Sequence, residues 1–177
     1  AYSKYQDFLQ NVKVVDPACG SGAFLVYVFD YLLAENKRVS DIVGNSLFGS
    51  DTYVRDILRN NIYGVDLNEE SVEITKLSLW LKTAQKGKKL TALDANIKCG
   101  NSLIDDPNIA EDKAFSWQEQ FADVFKNGGF DVVIGNPPYG AQFADKDKEY
   151  IRNTFKSYKY KYESYFYFIE KFLGFIK

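Results

Sequence analysis

Asn136, Pro137, Pro138 and Tyr139 interrupt Phe130-Asp131-Val132-Val133-Ile134-Gly135, an apolar run made to be a buried strand. The amide oxygen of Asn136 accepts hydrogen bonds. Proline at 137 removes an N–H donor and fixes φ, so the adjoining carbonyl is held as a second rigid acceptor. Two such acceptors converge on one amino group. They would turn the lone pair of an exocyclic nucleobase amine towards an electrophile and stabilise the positive charge that grows as the nitrogen is alkylated. Tyr139 offers a flat face for stacking the base, and a base within a duplex would have to flip out of the helix to reach it. The plainer reading is a strand exit made of turn residues.

Three other strings have comparable potential. In DPACGSGAFL, residues 16–25, Gly20 and Gly22 let the backbone turn sharply and approach a ligand. The helix that starts there offers unpaired amides to a carboxylate or phosphate. As a dinucleotide fingerprint the string is defective, because the third glycine position falls on Leu25. Asp66 can accept two hydrogen bonds from a ribose diol, or serve as the helix-entry residue before Asn68. Asn101 or Ser102 can contact a purine amino group, or be ordinary turn chemistry. Turn residues close strands in any fold; four apt strings at four strand ends point to a site.

The elements that must position these strings alternate between strand and helix. Val12 to Asp16 reads as a strand, followed by a helix from Gly22 to about Lys37 with Phe24, Val28, Tyr31 and Leu32 on one face. Asp41 to Gly49 reads as a connection, Asp51 to Asn60 as a short helix and Ile62 to Asp66 as a second strand. Asn68 can cap a helix to about Ala84, with Glu69 and Glu70 in its first turn and Val72, Leu79 and Trp80 buried. Gly87 to Asp94 reads as a loop, Asn96 to Cys99 as a third strand, and Asp105 to Gly129 as a connection holding an amphipathic helix around Trp117 to Phe125. Phe130 to Ile134 is a fourth strand, and an aromatic helix begins near Glu163. This alternation predicts an α/β fold of the doubly wound kind, a parallel sheet covered on both faces, with ligands beyond the carboxyl ends of the strands.

Composition narrows the chemistry. The 177 residues suffice for one domain, and 46% hydrophobic content suffices for a core. No histidine is present, and the two cysteines, Cys19 and Cys99, form no thiol cluster with metal-ligand spacing. No metal site is therefore expected. The cysteines read as reduced core thiols of a cytoplasmic protein. No apolar stretch approaches the ~18 to 20 residues needed to cross a bilayer, so a soluble protein is expected. A net charge of −2 lacks the overall positive field of a self-sufficient nucleic-acid binder. No methionine occurs, even at position 1, which predicts a piece cut from a longer chain.

Four strings, DPACGSGAFL, NIYGVDLNEESVEITKLSLWL, IKCGNSLI and FDVVIGNPPY, in this order, together resemble the motifs of S-adenosylmethionine-dependent N6-adenine DNA methyltransferases. The likeness is greatest to the methyltransferase part of type IIG restriction-modification enzymes and related phage-defence methylases. It implies a Rossmann-like class I methyltransferase fold, S-adenosyl-L-methionine as cofactor and double-stranded DNA as partner of the full-length parent. By position, Asp16, Ala18, Cys19, Gly20, Ser21, Gly22 and Phe24 would line the methionine end of the cofactor. Asp66 would hold its ribose hydroxyls with Leu67 packing near the adenine, and Asn101 with Ser102 would face the adenine edge. Asn136, Pro137, Pro138 and Tyr139 would hold the target adenine. Many relatives carry aspartate where Asn101 stands; the amide oxygen of Asn101 would accept from the adenine amine instead. Methyl transfer would be direct, with inversion and no covalent enzyme intermediate.

The departures from the family pattern carry expectations too. The family sheet has seven strands, whereas this sequence offers one helix after the fourth. Residues 1–177 are thus expected to be the N-terminal part of one catalytic domain, without target-recognition domain or nuclease and with little activity alone. The upstream aromatic-Thr-Pro motif is absent before Val12. Strand four, with Val132, Val133 and Ile134, would be an exposed apolar edge open to self-association. Residues 141–162 carry six basic side chains against three acidic ones, with Tyr158, Tyr160 and Tyr162 interleaved. They read either as a DNA-facing loop or as a solvated surface loop. Alternative activities with the same Asn-Pro-Pro-Tyr string are RNA guanine-N2 and protein glutamine methylation; a nucleotide-binding module without catalysis is the other class.

Overall fold

The structure, a computed structural model, describes residues 2–44, 50–83, 91–160 and 163–177. Its strands β1 (Val14–Asp16), β2 (Ile62–Asp66), β3 (Ile97–Cys99) and β4 (Val132–Val133) form one parallel sheet in the order β3-β2-β1-β4. Val14 pairs with Ile62 on one side and with Val132 on the other, and Asp66 pairs with Cys99. Successive strand residues point to opposite faces. Val14, Ile62 and Ile97 therefore pack into one cluster, and Val15, Tyr63 and Val65 into another on the opposite face.

Helices cover both faces, as the alternation predicts. Against the first face lie α1 (Tyr2–Asn11), α2 (Ala23–Val43), α3 (Ser50–Asp56) and α4 (Glu69–Thr83), supplying Leu9, Leu25, Phe29, Tyr53, Val72 and Leu79. The short helices α5 (Pro107–Ala110), α6 (Trp117–Gln120) and α7 (Ala122–Lys126) form the connection to β4. With α8 (Asp145–Thr154) and α9 (Tyr165–Leu173) they serve the opposite side. There Trp117, buried, meets Phe172 of α9 edge-on at 4.9 Å. Such pairs add about 0.5–1.5 kcal/mol beyond the area they bury.

Several expectations are corrected. Helix α2 runs past Lys37 to Val43, ending where Gly44, at φ 73°, turns its N–H back to the Ser40 carbonyl. Its buried stripe is Leu25, Phe29, Leu32, Asn36 and Val39, while Phe24 and Tyr31 are exposed. Two apolar stripes run side by side along this helix, and the sheet takes only one. The other leaves Val28 and Tyr31 lining an apolar groove of about 240 Å³ with Tyr5, Phe8, Val132 and Ile134. The expected helix over 51–60 ends at Asp56 and continues as a π-helical turn, Ile57–Asn61. The expected single helix around Trp117 to Phe125 is broken at Phe121, whose φ of −124° and ψ of 42° turn its ring against Tyr63, Trp117 and Phe130.

Residues 141–162, expected as a loop, contain α8 and a 3₁₀ turn, Lys156–Tyr160. Ile151 buries there, Tyr150 Oη donates to Asp105 at 2.6 Å, and Lys146 pairs with Glu111 at 2.8 Å. The expectations for most of the Asp41–Gly49 connection, Ala84, the first part of the Gly87–Asp94 loop, and Tyr162 lie outside the described residues. Strand β4 pairs with β1 alone among the described strands, and Val132 is 39% exposed. The near end of that edge is occupied: Phe130 bridges Ile176 in parallel, its N–H donating to the Phe175 carbonyl and its carbonyl accepting from Lys177.

Candidate cofactor and nucleobase site

At the end of β1, Asp16 is 1% exposed. Its Oδ1 accepts the Ala18 N–H at 3.0 Å, while Oδ2 is buried without a partner among the described residues. Burial raises its pKa to about 6 against the lowering effect of the Ala18 hydrogen bond, and the neighbouring Asp66 carboxylate raises it further. The chain then turns through Gly20 and Gly22. Gly22 has φ 83°, and a Cβ there would stand 2.8 Å from Thr75 Cγ2. Only glycine fits this close approach to α4. Thr75 Oγ1 donates to the Gly20 carbonyl at 2.8 Å and so fixes the loop from below.

Asp66 takes the helix-entry role that the sequence offers for its position, and it also holds the glycine loop. Its Oδ1 accepts the Asn68 N–H at 3.0 Å, at the entry to α4, where Asn68 Oδ1 in turn accepts the Ser71 N–H at 2.8 Å. Its Oδ2 accepts the Gly20 N–H at 2.8 Å, joining the first two strings. Each carboxylate oxygen retains capacity for another donor. Cys19 is buried in the core beneath the loop, where desolvation pushes its thiol up to about 12 and leaves it inert. Cys99, half-buried, receives the Lys113 ammonium at 3.3 Å.

The third string is held by hydrogen bonds of its own and to the first string. Asn101 Oδ1 accepts the N–H groups of both Leu103, at 3.0 Å, and Ile104, at 3.1 Å, which uses both lone pairs. The group Asn101 has left to present is its Nδ2 donor. Ser102 Oγ donates to the Pro17 carbonyl at 2.6 Å, tying the third string to the first. Lys171 of α9 donates to the Leu103 carbonyl at 3.1 Å, and burial lowers its pKa.

The fourth string leaves β4 through Gly135, where a Cβ would stand 2.6 Å from Asp16 Oδ1. Asn136 is exposed, and its amide has no partner among the described residues. Tyr139 is 72% exposed, its ring 5.3 Å from that of Tyr165. A cavity of about 260 Å³ opens between these strings. Ala18, Asp66, Leu67, Asn101 and Ser102 line it from the first three strings and Pro138 from the fourth, joined by Phe143 and Asp147. Asn136, Pro137 and Tyr139 flank Pro138 outside the lining. Asp16, Cys19, Gly20, Ser21, Gly22 and Phe24 do not line it either.

Thr75, Ser164, Lys171, Phe143 and Asp147 escaped the sequence reading. Thr75 carried a signal, being a polar residue on the buried stripe Val72, Thr75, Leu79; the others lie in segments whose placement depends on tertiary packing. Among the described residues, no group of three or more His, Cys, Asp or Glu could hold a metal ion. None of the described helices is long and apolar enough to cross a membrane.

Comparison with known proteins places this arrangement in context. Residues 60–177 match the family model described as Eco57I restriction-modification methylase. The type II restriction enzyme and methyltransferase RM.Eco57I of Escherichia coli is 32% identical over 94% of this chain and 19% of its own length. The adenine-specific methyltransferase PglX of Streptomyces coelicolor is 27% identical over 73% of this chain and 12% of its own. Among solved structures, the DrdV–DNA complex superposes with a TM-score of 0.56 at 19% identity, over 92% of this chain and 16% of that one. The chain thus spans about a fifth or less of each of these proteins.

Proposed function

The chain belongs to the Eco57I restriction-modification methylase family, and from that premise we propose that it forms the cofactor- and base-binding part of an adenine-N6 DNA methyltransferase. The observation that carries this reading is the convergence of four strand-end strings, separated by up to 121 positions from Pro17 to Pro138 (138 − 17), around one cavity. Pro138, next to the paired acceptors, lines the same space as Asp66 and Asn101.

The residues present fit S-adenosyl-L-methionine. Asp16 Oδ2, buried and unpartnered, suits the cationic methionine end, and a Cβ on Gly20 would meet nothing within 4 Å. Asp66 retains lone pairs for the ribose hydroxyls, Leu67 is an exposed apolar surface for the purine, and Asn101 Nδ2 a donor for its edge. When bound, the cofactor supplies a sulfonium-activated methyl group.

The chain's own part in the reaction is to hold and orient the amine. Asn136 Oδ1 and the Pro137 carbonyl accept its two hydrogens, so that the nitrogen lone pair leaves the plane of the base and faces the methyl group. The same two dipoles stabilise the cationic nitrogen as the bond forms. Tyr139, exposed, is placed to stack on the flipped base. The extra proton then passes to water. Neither cysteine has a role in this step.

The test is transfer of labelled methyl from S-adenosylmethionine to duplex DNA by the full-length enzyme, with the product nucleoside identified. N6-methyladenine is expected, and Asn136→Ala should lower kcat about 100-fold or more. Methyl on RNA or protein, or a variant as active as wild type, would reject the reading.

A further inference from the structure

Ser164 sits immediately before α9, 4% exposed. Its hydroxyl donates to the Pro138 carbonyl and accepts the Ala141 N–H at 3.4 Å. Pro138, Tyr139, Gly140 and Ala141 form a turn whose third residue, Gly140, lies at φ +63°. In an ordinary β-turn the first carbonyl takes the fourth N–H directly. Here the serine hydroxyl stands between the two ends and serves both. A hydroxyl is the smallest side-chain group that donates and accepts at once.

The consequence falls on Tyr139 and the residues before it. Tyr139 is too exposed for its own packing to hold it; the adjacent support is the Tyr165 ring, one residue beyond Ser164. Fixing the Pro138 carbonyl fixes the peptide plane from which Tyr139 projects, and with it the direction of the preceding prolines. Helix α9 is itself firmly seated, with Tyr167 and Phe172 buried. Seven positions beyond Ser164 (171 − 164), Lys171 holds the Leu103 carbonyl behind Asn101 and Ser102. One helix thus grips the loop on the base side of the cavity and the loop on the purine side.

We propose that Ser164 is a positioning residue for the target adenine: by bridging the Pro138–Ala141 turn it holds the Asn136–Tyr139 segment in its base-accepting geometry. The inference rests on the function proposed above. It predicts an effect on the chemical step that cofactor affinity does not share.

The experiment uses full-length enzyme carrying Ser164→Ala, Ser164→Cys or Ser164→Thr, with kcat for DNA methylation measured beside S-adenosylhomocysteine affinity. Ser164→Ala should lower kcat about 10- to 100-fold, as a displaced catalytic group does, with affinity for S-adenosylhomocysteine within about twofold of wild type. Ser164→Thr, which keeps the hydroxyl, should recover most of the rate. Ser164→Cys, a weaker donor, should fall between and stands in if the alanine variant does not fold. A wild-type kcat in Ser164→Ala, a threonine variant no better than alanine, or affinity falling in step with rate would overturn the proposal while leaving the methyltransferase reading intact. A wild-type enzyme that binds S-adenosylhomocysteine but methylates no DNA adenine would overturn both.

Discussion

Gly135 and Asp16 meet across neighbouring strands: a Cβ on Gly135 would stand 2.6 Å from the Asp16 Oδ1 that accepts the Ala18 N–H. The loop that would hold the cofactor and the segment that would hold the base therefore share a contact, made possible by the parallel pairing of β1 with β4. Any side chain at 135 must push the carboxylate aside or lift the Asn136 segment.

Gly135→Ala tests that contact. The overpacked variant should lose about 1–3 kcal/mol of stability, read from urea unfolding. Methylation by the full-length enzyme should fall further than stability alone explains, because the displaced atoms are those that position Asn136. An alanine variant with wild-type stability and rate would mean that the two loops yield freely.

Asp16 predicts a pH dependence. Its folded-state pKa, about 6, lies above the ordinary 3.8 because burial disfavours its charge. The stability that follows from this shift is fully present below 3.8 and is lost as pH rises through about 6. A cationic amine bound against Oδ2 reverses the preference by favouring the carboxylate. Affinity for S-adenosylhomocysteine should therefore rise about tenfold between about pH 5 and 7, and Asp16→Asn should flatten the profile. Calorimetric titration at several pH values reads this directly; a flat wild-type profile would place the amine elsewhere.

The sheet and the four strings were legible in the sequence because they are local. A β-branched run closed by DPACGSG or NPPY shows both the strand and its candidate site within about ten residues. What stayed hidden depended on choices between near-equal alternatives. Helix α2 has two apolar stripes, and only its rotation against β1 and β2 decides that Leu25 and Phe29 bury while Phe24 and Tyr31 do not. For Asn101, residue type suggested an acceptor, but a turn that consumes both lone pairs is visible only in the backbone. Ser164 lies 26 positions from Pro138 (164 − 138), with no spacing rule to join them.

Asn101 separates turn from ligand. Asn101→Asp keeps an oxygen for the Leu103 and Ile104 N–H groups and should change stability by less than about 0.5 kcal/mol. Asn101→Ala leaves both amides without the side-chain acceptor and should lose about 1–3 kcal/mol. If Nδ2 faces the purine of the cofactor, the aspartate variant exchanges a donor for an acceptor at unchanged fold. Its affinity for S-adenosylhomocysteine should then change by about tenfold or more. Chemical denaturation and ligand titration on the same three proteins give both answers; equal affinities in wild type and Asn101→Asp would confine Asn101 to the turn.

The cations around α8 are not equivalent. Lys146 is paired with Glu111 and Lys148 with Asp145, and Lys156 lies beside Glu170, whose carboxylate accepts its backbone N–H at 2.8 Å, whereas Arg152 is exposed without an ion-pair partner among the described residues. Arg152 also lines a polar hollow of mixed charge with Asp145, Lys148, Glu149 and Tyr158. A side chain that neutralises a DNA phosphate releases a counterion, and its loss lowers the slope of log affinity against log salt by about 0.9. In the full-length enzyme, Arg152→Gln should weaken DNA binding and flatten that slope by about this amount, and Lys156→Gln should flatten it less, since Glu170 lies beside that charge. Lys146→Gln should flatten it less, since Glu111 already balances that charge. Fluorescence anisotropy at several salt concentrations measures all three. If the slopes coincide with wild type, this face carries charge for solvation alone and the phosphate track lies on another part of the protein.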